Sequence, residues 1–163
     1  MRIERSILIQ RPPADVFALI SDPMAYDEFF VGVSRWEPRS RKRRGVGARF
    51  RVLMKVGAIE AGGVLRVTEW DEPDRIAWES ESGVEYRGAW TVREAVSGTE
   101  LRYEIAYSLP GPFGWLAELL TGRIIDRNAR ATLLAARRIL EHERPARPAA
   151  KRSPAWGRQG VNS

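Results

Sequence analysis

From Ala48 to Leu109 the chain alternates apolar and polar residues in run after run, with only short breaks between runs. Such a period of two makes strands with one buried face. In the first run, Ala48 to Val56, Phe50, Val52, Met54 and Val56 oppose Arg49, Arg51 and Lys55. In the second, Gly62 to Trp70, Leu65 and Val67 oppose Arg66 and Thr68. Asp71-Glu72-Pro73-Asp74 has the residues of a turn, and Arg75 to Ser80 follows with Ile76 and Trp78 on one side. Gly83 breaks that run. Tyr86 to Arg93 sets Tyr86, Gly88, Trp90 and Val92 against Arg87, Ala89, Thr91 and Arg93. Beyond the Ser97-Gly98 turn, Leu101, Tyr103, Ile105, Tyr107 and Leu109 alternate with Arg102, Glu104, Ala106 and Ser108. Links this short cannot hold a crossover, so successive strands must be antiparallel and form a meander. Its apolar face then needs a cover.

The flanking segments supply candidates for that cover. Residues 2–10 read as one more strand, with Ile3, Ile7, Leu8 and Ile9 as its apolar members. Arg11-Pro12-Pro13-Ala14-Asp15 ends it and opens a helix, since proline suits a first turn and Asp15 suits the positive end of the dipole. Val16, Phe17, Leu19 and Ile20 follow at helical spacing. Ser21-Asp22-Pro23 separates this helix from a second short one, Met24 to Phe30, and Val33 to Pro38 reads as a strand. At the other end, Pro110-Gly111-Pro112 closes the sheet and admits a long amphipathic helix, 112–143, interrupted once at Thr121-Gly122. Ile124, Asn128, Ala131, Ala135 and Ile139 share one face of it, and Leu116, Ala117 and Leu120 continue that face upstream. Small side chains and an amide are less than a solid core requires. The spacing therefore predicts a helix laid across the sheet with a space between them. The order is β-αα-β6-α, an α+β arrangement of about seven strands.

Several function classes are excluded by what the chain lacks. It has no cysteine and one histidine, His142. Disulfides, thiolate zinc sites and cysteine nucleophiles are ruled out, and no metal site is expected. A Ser-His-Asp triad would have to use His142, near the end of the last helix. Met1 to Arg5 carries no apolar signal core and no run is long enough to span a bilayer, so a soluble, cytoplasmic protein is expected. Residues 1–144 read as one domain, and 145–163 as a disordered basic tail rich in Pro, Ala, Arg, Lys, Ser and Gly. Trp156 is isolated in that tail; it reads as a solvated aromatic, or as a membrane or partner contact helped by Lys151 and Arg152. The net charge of +6 is concentrated in Arg39 to Arg44 and in the tail, not on a broad basic face.

Three phrases carry a resemblance. They are Pro13-Ala14-Asp15-Val16-Phe17-Ala18-Leu19-Ile20-Ser21-Asp22-Pro23, Val67-Thr68-Glu69-Trp70-Asp71-Glu72-Pro73-Asp74-Arg75-Ile76-Ala77-Trp78, and Gly98-Thr99-Glu100-Leu101-Arg102-Tyr103. The first is similar to the opening helix pair, the second to a central hairpin and the third to the last hairpin of the START-like, or SRPBCC, superfamily of polyketide cyclases and lipid-transport proteins. The resemblance covers about residues 2–143. It implies a helix-grip fold: a curved antiparallel sheet wrapped round the C-terminal helix, with an internal cavity. Members include cyclases, lipid and sterol carriers and quinone-binding chaperones. The motifs are caps, turns and core positions, so they specify the fold more than the ligand.

The strand phase nominates cavity residues. They are Phe50, Val52, Met54, Leu65, Val67, Ile76, Trp78, Tyr86, Trp90, Tyr103, Ile105 and Tyr107 from the sheet, with Leu116, Leu120, Ile124 and Asn128 from the helix. Each aromatic serves either the core or a pocket wall. Tyrosine and tryptophan ends need partners when buried, which suits a ligand bearing oxygens: a lipid, polyketide, sterol or quinone. Asn128 either bonds a neighbouring strand or water, or meets a ligand carbonyl. Glu69, in phase with Leu65 and Val67, is the one weak candidate for a base; a structural ion pair with Arg75 is the alternative. The phase is least secure near Glu69 and Gly88, where a single bulge inverts it. With no inner cluster of ionisable groups, the expected function is a carrier or sensor of a small hydrophobic molecule, without a cofactor. A polyketide or aromatic cyclase or dehydratase in the same cavity is the alternative, and a protein-interaction or chaperone module is a second. Arg41, Lys42, Arg43 and Arg44 read as a solvated hairpin tip or as a contact for anionic lipid. No nucleic-acid motif accompanies them, and monomer and dimer are equally open.

Overall fold

The computed structural model describes residues 1–143; the expected tail, Trp156 included, lies outside the described residues. Seven strands form one antiparallel sheet: β1 (Arg2–Ile9), β2 (Val33–Pro38), β3 (Arg49–Val56), β4 (Ile59–Asp71), β5 (Arg75–Gly83), β6 (Glu85–Ala95) and β7 (Gly98–Ser108). The order across the sheet is β1-β7-β6-β5-β4-β3-β2, a meander whose free end is taken by the first strand. Helices α1 (Pro13–Ile20) and α2 (Tyr26–Phe29) fill the step from β1 to β2, and α3 (Gly114–Arg138) runs on into a π-helical turn, Ile139–Glu143. This is the helix-grip arrangement.

The strands follow the alternation. On β7 the pattern is unbroken from Thr99 to Tyr107, with Leu101, Tyr103, Ile105 and Tyr107 buried. The outward side chains are held by cross-strand ion pairs. Arg102 meets Glu4 at 2.9 Å, and Arg66 meets Glu79 at 2.9 Å. Exposed pairs of this kind contribute little each, about 0–1 kcal/mol. The inward side carries the core.

The strands β3, β4 and β5 approach closely beside a register shift at Val64/Leu65. Gly62, Gly63 and Gly83 stand together there, and a Cβ on any of them would collide with the carbonyl of Val52, Ser82 or Gly62 respectively. Gly83 also has φ 86°, a backbone state that side chains disfavour. Three backbones without side chains let the strands come this close.

Two expectations about the last helix are corrected. No break occurs at Thr121-Gly122: α3 is continuous, and the Thr121 hydroxyl donates within it to the Ala117 carbonyl at 2.8 Å. Gly122 instead lets the helix press close, because a Cβ there would lie 2.9 Å from the Met1 sulfur. The buried stripe is Gly122, Ala129, Thr132, Leu133 and Ala136, continued by Ile139 and Leu140. It sits beside the expected face, of which only Ile139 is buried; Ile124, Asn128, Ala131 and Ala135 flank it half-buried.

The start of α3 is pinned by Glu118. Its carboxylate accepts from the Leu109 amide at 3.0 Å and from the Met1 amine at 3.1 Å. The backbone bond from Leu109, then the amine, hold its pKa below the ordinary value. A carboxylate with a depressed folded-state pKa stabilises above its unfolded value, and that contribution is lost as pH falls through the folded value. Glu118→Gln should therefore be less stable than the parent at neutral pH and equal to it in strong acid. Urea unfolding of both proteins across that range checks this; a constant difference at every pH would contradict it.

A hollow between sheet and helix

Concave strands and a helix on one side need not fill the space between them. Here the middle is filled. Trp90, fully buried, packs against Tyr103 with ring centroids 4.6 Å apart, and Trp78 lies 6.4 Å from each of them. Phe30, just past α2, meets Trp90 and Tyr103 edge-on at 5.9 and 5.6 Å. Trp78 fits because its cross-strand neighbour is Gly88, where a Cβ would reach within 2.6 Å of the indole. This aromatic plug divides the interior along the strands.

On one side of the plug is a hollow of about 100 Å³. Its walls are Val52, Met54 and Val56 of β3; Ile59, Ala61 and Gly62 of β4; Val84 and Tyr86 around the start of β6; Ile105 and Tyr107 of β7; Leu109; and Thr121 and Ile125 of α3. The space exists because the inward positions of β4 are small there. Ala61 faces Met54 and Gly63 faces Val52 across the strand pair, where the next pair inward is Leu65 with Phe50. It reaches the surface beside Ile59, which is exposed at the tip of the β3–β4 hairpin. On the other side is a smaller hollow of about 30 Å³, lined by Trp36, Phe50, Leu65, Val67, Trp70, Ile76, Trp78 and others, with Arg43 at its edge.

The larger hollow is apolar except for three hydroxyls. Tyr107 gives its proton to the Glu118 carbonyl at 3.2 Å and lies 3.3 Å from the Thr121 hydroxyl. Thr121 is bonded within its own helix. The Tyr86 hydroxyl is buried and has no hydrogen-bond partner among the described residues. Burial pushes the Tyr86 and Tyr103 phenols well above their ordinary range. Both stay protonated at neutral pH, so they act as donors, not bases. An unpartnered buried hydroxyl costs about 1–3 kcal/mol, so Tyr86 is set to gain from an acceptor arriving in the hollow.

The expected site residues are distributed unevenly. Val52, Met54, Tyr86 and Tyr107 come together around the larger hollow, and Phe50, Leu65, Val67 and Trp78 around the smaller. Trp90 and Tyr103 form the plug between them. Leu116 and Leu120 are corrected: they are exposed on the far side of α3 from the hollow. Ile124 and Asn128 are half-buried and line neither space; Asn128 sits against Gly32, where a Cβ would strike its amide nitrogen. Glu69 is corrected too. The β4–β5 register slips between Val67 and Glu69, which turns Glu69 outward, where Arg75 holds it at 2.9 Å. It lines neither hollow. Ile105, on the inner face read from the alternation, lines the larger hollow as well, and Val56, Ile59, Ala61, Gly62, Val84, Leu109, Thr121 and Ile125 complete its wall beyond the expected residues. The alternation of β3 already carries Val56 on this face, and extending that of β4 four residues before Leu65 reaches Ala61.

Of the basic loop, Arg44 is engaged, donating to the Ser21 hydroxyl at 3.1 Å and lying 5.6 Å over the Trp70 ring. Arg41 and Lys42 are exposed at its tip.

Residues 1–141 match the family described as polyketide cyclase/dehydrase and lipid transport. A comparison with curated protein sequences finds no match. Among solved structures, a protein of Thermus thermophilus is 22% identical with a TM-score of 0.75, over 86% of this chain and 97% of its own. The Zhui aromatase/cyclase of a Streptomyces species is 18% identical with a TM-score of 0.68, over 88% and 97%. A START superfamily protein of Mycobacterium smegmatis is 14% identical with a TM-score of 0.66, over 85% and 98%. At such identities the likeness is one of fold.

Proposed function

This chain belongs to the polyketide cyclase/dehydrase and lipid transport family, and from that premise we propose that it carries or senses a small hydrophobic molecule bearing an oxygen acceptor. The observation that supports this reading is the Tyr86 hydroxyl, buried and unpartnered in the wall of an otherwise apolar hollow. The hollow takes a ring-sized part of a ligand. A longer molecule would leave past Ile59, between the β3–β4 hairpin and the start of α3. Acid–base chemistry on the ligand is disfavoured because, among the described residues, no Asp, Glu, His, Lys or Arg side chain lines the hollow and burial holds the Tyr86 phenol protonated.

Acetophenone and ethylbenzene make a matched test, similar in shape with and without a carbonyl. In the free protein, Tyr86→Phe should leave stability unchanged or raise it by up to about 1 kcal/mol, because it removes an unsatisfied buried group. The same substitution should weaken acetophenone binding about 5- to 10-fold, the value of one hydrogen bond, and leave ethylbenzene unaffected. Titration calorimetry with denaturant unfolding reads both effects. Equal loss for the two probes would sink the assignment. Native mass spectrometry of freshly purified protein then gives the mass of any ligand that accompanies it.

A further inference from the structure

A helix that packs on one side shows an apolar stripe there and polar residues opposite. The later turns of α3 obey this, with Arg123, Arg127 and Arg130 on the outer face. Its first turns do not. Gly114, Thr121 and Gly122 face inward, yet Trp115, Leu116, Leu119 and Leu120 point the other way and are exposed, Trp115 and Leu120 at 67% each. Phe113, immediately before the helix, is 72% exposed. Away from Glu118, which is tied to Leu109 and Met1, the outer side of this segment is apolar, which in water alone is unfavourable and calls for a second apolar surface.

We infer that the start of α3 docks the protein on the surface of an anionic phospholipid bilayer. The charge pattern selects this occupant. Arg123 and Arg127 follow the apolar turns on the same outer face, within about two turns of Leu120, and no ion pair holds either among the described residues. With a rise of about 1.5 Å per residue, they stand roughly 5–10 Å further along the axis. That matches the depth between the acyl boundary, where leucine and tryptophan settle, and the phosphates, which arginine reaches. A second copy of the chain would offer those arginines like charges instead. The position also suits the carrier reading, on which the benefit of docking rests: the same turns of α3 contribute Thr121 to the wall of the hollow, so its mouth would open at the membrane. The basic loop cannot share this contact. It lies at the Arg49 end of β3 and the mouth at the Val56 end, about 25 Å away along an extended strand of eight residues.

Sedimentation with vesicles of phosphatidylcholine and phosphatidylglycerol tests the proposal on the full chain. Binding is expected to fall with added salt and to be weaker on phosphatidylcholine alone. Trp115→Ser with Leu119→Ser should cut binding at least about tenfold without changing the unfolding midpoint, since both side chains are exposed. Arg123→Glu with Arg127→Glu should abolish the preference for phosphatidylglycerol, and Arg41→Glu with Lys42→Glu should change little. The proposal is overturned if the protein ignores both vesicles, or if the loop variant rather than the α3 variants loses binding. It is equally overturned if the parent is a dimer that Trp115→Ser with Leu119→Ser turns into monomers. Acetophenone binding is measured on the same α3 variants and should be unchanged, so failure of docking and failure of ligand binding are read separately.

Discussion

Trp90→Ala should destabilise the protein by about 3–5 kcal/mol, the usual cost of removing a large buried aromatic. Trp90 is fully buried and touches the rings of Phe29, Phe30, Trp78 and Tyr103. Those rings come from α2, the segment after it, β5 and β7, so no single element can move in to fill the gap. The indole N–H makes no well-formed hydrogen bond in its buried position, and deleting it recovers part of the loss. Trp90→Phe separates the two contributions: it keeps a ring in the plug, removes the N–H that meets Tyr26 only in poor geometry and should cost less than the alanine variant. Against a total stability of about 5–15 kcal/mol, the alanine variant loses a large share. Urea unfolding measures it. A loss below about 1 kcal/mol would mean the plug is not the tight centre its ring distances describe.

Ala61→Phe should abolish binding in the larger hollow while leaving the fold intact. Ala61 is inward-facing, half-buried and paired with Met54, at the place where the hollow exists because side chains are small. A benzyl group there occupies the space of a ring-sized ligand. Acetophenone affinity should drop by at least about tenfold, whereas unfolding free energy should stay within about 1 kcal/mol of the parent or rise, since filling a void restores dispersion contacts. Paired loss of binding and stability would point to overpacking. Retained affinity would place the ligand elsewhere, and the smaller hollow beside Trp36 and Trp70 is then the place to look.

The strands were legible because period-two burial is written residue by residue: Leu101, Tyr103, Ile105 and Tyr107 read inward from sequence and are buried in the fold. Glu69 was not, because its direction depends on a slip against β5, and register between strands is a property of the pair. The helix face was off by one position for a different reason. Two neighbouring stripes of α3 have the same period, and the choice between them is made by contacts with β1 and with the Val31–Gly32 loop. Thr132 accepts from the Val31 amide at 3.0 Å, and Asn128 lies against Gly32. Phe30 escaped notice as a plug residue because only the turn after α2 aims it between Trp90 and Tyr103. Leu116 and Leu120 were drawn inward by the assumption that apolar residues seek the core, which their exposure contradicts.

The pairing of β1 with β7 has a consequence for how the protein is made. Residues 2–9 pair as a strand with residues 99–106, so the grip closes a loop of nearly the whole domain. At about 5–20 residues per second on a ribosome, the first strand waits on the order of 5–20 s for its neighbour to emerge. During that wait Ile3, Ile7 and Ile9 belong to an unpaired strand, and strands β3 to β6 can already zip together as successive hairpins. Folding should therefore end at the seam between the first strand and the last, and a nascent chain stalled before Gly98 would display an apolar ribbon to chaperones or to other chains.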